Sequence, residues 1–79
     1  MNRILYEQYL KEYIREAIEN SDGTNSGISQ YLSGLRIPGR FTRNKEEKIR
    51  AIKDAQSAFE EHRHWPRDIV LSHLGLELD

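Results

Sequence analysis

Arg3-Ile-Leu-Tyr-Glu-Gln-Tyr-Leu-Lys-Glu-Tyr-Ile-Arg-Glu-Ala-Ile-Glu-Asn20 is the stretch that decides the fold. Its apolar residues, Ile4, Leu5, Tyr9, Leu10, Tyr13, Ile14, Ala17 and Ile18, recur mostly at steps of three and four. That spacing lays one apolar stripe along a single helix over about 3–20. Glu7, Lys11, Glu12, Arg15 and Glu16 fall on the opposite side, with like and unlike charges mixed at four-residue steps. Nothing in the chain alternates apolar and polar residues long enough for a strand, so the expected class is all-α.

Working outward, Asn20-Ser-Asp-Gly-Thr-Asn25 ends that helix, with Gly23 as the stop and Thr24 or Asn25 as the next cap. A second helix is expected over about 25–34, carried by Ile28, Tyr31, Leu32 and Leu35. Ile37-Pro38-Gly39 cannot continue it and reads as a turn. Asn44 and Glu47 suggest a reciprocal cap for a third helix over about 45–62, with Ile49, Ile52, Ala55 and Phe59 on its apolar face. Pro66 suits the first position of a fourth helix, about 66–75. Ile69, Val70, Leu71 and Leu74 form its inner side, and Gly75 stops it. The expectation is one compact domain of three to four helices spanning 1–79.

Seventy-nine residues leave a thin core, and with no cysteine there is neither a disulfide nor a thiolate metal site to support it. The net charge of −1 hides a pattern. Residues 36–53 carry seven basic and two acidic groups, whereas 54–79 carry two basic and six acidic ones. A basic block in a near-neutral chain can bind a polyanion locally; it can equally be a solvated helix face. No apolar run is long enough for a membrane span and no leader pattern is present, so a cytoplasmic protein is expected.

Gly27-Ile-Ser-Gln-Tyr-Leu-Ser-Gly-Leu-Arg-Ile-Pro38 resembles the recognition helix and following turn of phage-repressor-like (Xre-type) helix-turn-helix domains. Ile28, Ser29, Tyr31, Leu32, Ser33, Gly34, Arg36 and Pro38 match, and Leu35 stands where those domains usually carry Lys. The part upstream departs: one helix stands where the repressors have two short ones, and Gly23 falls out of register. The small N-terminal domain of some transposition ATPases has a similar helix and basic continuation. Ile28, Tyr31 and Leu35 are also similar to the helical DNA-clamping domain at the N-terminus of tyrosine recombinases, which carries a long helix, a Ser/Thr turn and then Ile-x-x-Tyr-x-x-x-Leu.

The repressor resemblance implies double-stranded DNA as partner. Asn25, Ser26, Ser29 and Gln30 would face base edges, and Arg36, Arg40, Arg43, Lys45 and Lys48 would reach phosphates. It also implies a small regulatory or accessory protein of a phage or other mobile element. A homodimer is expected, because one short helix reads few base pairs. The plainer reading is an amphipathic helix followed by a Gly/Pro turn.

The alternative function is a protein-interaction module, an adaptor or inhibitor. Its contact surface would be the stripe of Tyr6, Tyr9 and Tyr13, the acidic C-terminal third or the basic block. Tyr9 and Tyr13 read more simply as core residues with hydroxyls at the rim, and Tyr6 as the exposed one. Trp65 reads as a core plug at the corner of helices three and four. His62 and His64 point to different sides, so no metal or other cofactor is expected. No nucleophile–base arrangement, phosphate loop or paired carboxylates stand at a recognisable spacing, so no enzyme is expected.

Overall fold

The computed structural model describes residues 1–37 and 42–76. Four helices follow in order: α1 (Arg3–Asn20), α2 (Asn25–Ser33), α3 (Lys45–Glu61) and α4 (Arg67–His73). The described residues contain no strand, and the domain is all-α as expected. No described helix is long and apolar enough to cross a membrane.

α1, α2 and α3 pack mutually, and their apolar stripes meet on one core. Leu10, Ile14 and Ala17 come from α1, and Ile28 and Leu32 from α2. Ala51, Ile52, Ala55, Ala58 and Phe59 come from α3, and Val70, Leu71 and Leu76 close the far end. The alanines of α3 lie one turn apart and carry no bulk, so α3 can sit close to its neighbours. Phe59 is the largest fully buried side chain and fills the middle.

The helix ends follow from local chemistry. Asn2 Oδ1 accepts the backbone N–H groups of Ile4 and Leu5 and caps α1. Gly23 takes φ +79° in the turn, and Thr24 Oγ1 then accepts the Gly27 N–H at 3.0 Å to cap α2. α4 ends in two hydrogen bonds, Leu76 N–H to Leu71 O and Gly75 N–H to Ser72 O, each 2.9 Å. Together with φ +79° at Gly75 they make a Schellman stop.

Several local expectations need correction. Asn44 does precede α3, but in the left-handed conformation (φ 57°, ψ 39°) and without a side-chain cap bond. Its Nδ2 instead donates to the Tyr9 hydroxyl at 2.9 Å, and Glu47 accepts the Asn2 N–H at 2.9 Å. Both side chains are used to tie α1 to α3. Pro66 caps α4 rather than opening it. Trp65 is 40% exposed, because it stacks on the His62 ring at the surface instead of entering the core. Ile49 and Ile69 also face outward, since their helices bury the neighbouring faces that hold Ile52 and Val70. Of the Ile37-Pro38-Gly39 turn, only Ile37 lies within the described residues, and it is non-helical.

Candidate nucleic-acid interface

α2 presents an outer stripe of Ser26, Gln30 and Ser33, spaced four and three residues apart and all exposed. Ser33 Oγ donates back to the Gln30 backbone carbonyl at 2.7 Å, and the Gln30 side chain is exposed in the middle of the stripe. Between this stripe and α3 lies an open cleft of about 310 Å³, whose α3 wall is Gln56, Glu60 and Arg63. Ser33 and Gln56 also line a second, more apolar hollow toward the N-terminal end of α3. The two hollows therefore adjoin at Ser33 and Gln56, and together they run as a groove along the α2–α3 seam. Arg36, Lys45 and Lys53 stand along the second half and Arg63 at the first, against Glu60 as the single carboxylate among the described lining residues.

The four residues expected to face bases separate into two pairs. Ser26 and Gln30 are exposed on the stripe, while Asn25 and Ser29 are buried. Asn25 is a correction: it lies at the N-terminus of α2 against the corner between α3 and α4. Its Nδ2 donates to the carbonyl of Trp65 at 2.6 Å, with the carbonyls of Arg63 and His62 at 3.4 and 3.5 Å. A side chain held by three backbone oxygens cannot turn outward to a base edge. Ser29, only 7% exposed, lies at the floor of the cleft, since it sits one residue from the core anchor Ile28.

The basic block separates as well. Arg36 and Lys45 join the groove, together with Lys53, which the sequence left outside the phosphate set. Lys48 stands apart from the groove lining: its Nζ lies 5.4 Å from the centre of the Tyr9 ring, on the side of α1. Arg50 pairs along α3 with Asp54 at 3.6 Å. Arg43 is exposed just before α3. Arg40 lies outside the described residues.

The tyrosine stripe holds the fold together. Tyr6, Tyr9 and Tyr13 are all half-buried against the core. Tyr6, expected to be the exposed one, donates its hydroxyl to Asp54 Oδ2 at 2.6 Å. Burial, followed by the hydrogen bond to Asp54, pushes its hydroxyl pKa up to about 12. Burial and then the nearby Glu12 raise that of Tyr13. Tyr9 and Tyr13 rings stand 6.3 Å apart and tilted by 30°.

His62 stacks on Trp65 at 3.8 Å, and His73 meets both rings edge-on. Among the described residues no group of three or more metal-ligating side chains converges. Ser33 could have been found from the sequence, because it lies seven residues after Ser26 on the same stripe. Lys53, Gln56 and Arg63 could not, since only the register of α3 against α2 places them there. Compared with family models, curated proteins and solved structures, this chain matches none.

Proposed function

We propose that the chain is a small DNA-binding module, regulatory or accessory to a mobile element, that lays its α2–α3 face on a duplex. One observation carries this reading. The short polar side chains Ser26, Gln30 and Ser33 run directly into Arg36, Lys45 and Lys53, with Arg63 at the other end. Cations along a groove neutralise phosphates and set register, while an outward amide can pair with adenine. With Asn25 withdrawn, base reading falls to Gln30, supported by Ser26 and Ser33. Three short side chains read few base pairs, so two copies related by a two-fold axis bind together.

Fluorescence anisotropy with duplex DNA at several salt concentrations tests this. Four phosphate contacts give a log–log salt slope of roughly −3 to −4. Lys45→Ala and Lys53→Ala each weaken binding and lower the slope by about one. Absence of salt-sensitive binding at ~50 mM salt and ~10⁻⁴ M protein overturns the proposal.

A further inference from the structure

We infer that the apolar half of the α2–α3 groove is a docking site for an acidic amphipathic segment of a partner protein. The hollow, about 350 Å³, has an apolar floor of Leu35, Ile37, Ile49 and Ile52. Ile49 is 44% exposed and Leu35 and Ile37 are half-buried, so the floor reaches the surface. Arg36, Lys45 and Lys53 also line it, and among the described residues no carboxylate does. Elsewhere on α3 the cations have neighbours that answer them: Arg50 has Asp54, and Lys48 has the face of Tyr9. In this groove apolar surface and uncompensated positive charge occur together.

That combination selects the partner. Duplex DNA satisfies the cations but brings only phosphates and sugars to Ile37 and Ile49. An acidic but wholly polar chain has the same shortcoming. A helix with leucine-type side chains at i, i+3, i+4 and i+7, flanked by Asp and Glu, fills the floor and pairs the rim at once. Among the described residues, a second copy of this chain does not supply that surface. The outer face of α1 mixes acidic and basic groups (Gln8, Lys11, Glu12, Arg15, Glu16, Glu19), and the exposed Ile69 of α4 is flanked by Asp68 but also by Arg67. The site is small, which places the contact among weak, reversible ones. It shares three cations with the DNA-facing surface proposed above, but it rests on the groove alone and stands whether or not the duplex binds.

The test is an NMR titration of the full ¹⁵N-labelled chain with a synthetic peptide bearing leucines at that spacing and Glu or Asp elsewhere. The expected result is saturable shifts at Ile37, Ile49 and Lys53. A scrambled peptide of equal composition and charge binds roughly tenfold more weakly, as loss of one buried anchor predicts. Ile49→Ser and Lys53→Glu each weaken the matched peptide by a similar factor. Ile49 is exposed, so Ile49→Ser keeps the fold, which circular dichroism verifies. Salt-sensitive DNA binding is measured on the same two variants: Ile49→Ser leaves it intact, so peptide and DNA readings succeed or fail separately. No saturable shift up to ~1 mM peptide overturns the inference. So does equal binding of matched and scrambled peptides, or groove shifts that grow with protein concentration alone.

Discussion

Asn25 and Trp65, forty residues apart in sequence, are joined by a 2.6 Å hydrogen bond from the Asn25 Nδ2 to the Trp65 carbonyl. This bond docks the start of α2 onto the corner between α3 and α4. The Asn25 Oδ1, by contrast, is buried without a partner, so the side chain acts here as a donor only. Removing the donor leaves backbone oxygens unsatisfied, and Asn25→Ala is expected to cost about 1–3 kcal/mol by urea denaturation. Asn25→Asp is worse at neutral pH, because a carboxylate then faces three carbonyl oxygens. Its folded-state pKa is raised, so the stability of Asn25→Asp relative to the parent recovers on acidification, when the protonated carboxyl can donate. A deficit unchanged between neutral and acidic pH contradicts this account.

Glu47 sets an acid limit of the opposite sign. The Asn2 backbone N–H that it accepts, and then its own N–H, hold its carboxyl below the ordinary 4.5. A depressed folded-state value contributes stability that is complete above the unfolded value and is lost as pH falls through the folded one. The thermal stability of the parent should therefore fall below about pH 4.5, and Glu47→Gln should lessen that dependence. Identical acid limbs for the two proteins count against it.

Tyr6 controls the alkaline side. Its folded-state pKa is raised from 10.0 to about 12. The linked stabilisation is present below the unfolded value and disappears as pH rises through the folded one. In a phenolate absorbance titration, Tyr6→Phe should remove the component that ionises at the highest pH. The same substitution should cost about 1 kcal/mol, the net value of a hydrogen bond that is part-exposed.

Gly75 isolates a backbone effect. A Cβ added there meets nothing within 4 Å, so a substitution is opposed only by φ +79°. Gly75→Ala should destabilise by about 1 kcal/mol, and Gly75→Asn by less, because Asn tolerates the left-handed region. A stabilising Gly75→Ala would show that the Schellman stop does not persist in solution.

The division of the basic block gives a last prediction. Lys45 and Lys53 lie on the groove, whereas Lys48 lies over Tyr9. Lys48→Ala should therefore leave the salt slope of DNA binding within about half a unit of the parent, while Lys45→Ala lowers it by about one. Equal effects from the two lysines would mean that phosphates are met across the whole block rather than along the seam.

The sequence by itself determined the four helices, nearly to the residue, and most of the core. Three- and four-residue spacing, Thr24, Gly23 and Gly75 act through neighbours a few positions away, and such effects are legible in one dimension. It also marked Ser26 and Gln30 as outward and Arg36 and Lys45 as cationic members of one region. Only the tertiary structure decided what the polar side chains do. Asn25, Ser29, Tyr6, Asn44, Glu47 and Lys48 are each compatible with solvent, ligand or core when read alone. Their partners lie across helix–helix seams, 48 residues away for Tyr6 and Asp54, 35 for Asn44 and Tyr9, 45 for Glu47 and Asn2. Periodicity tells which stripe of a helix is buried, but not which polar group of another helix arrives beside it. That depends on how α1, α2 and α3 settle around Phe59, and the same settling decides which lysines and serines share a groove.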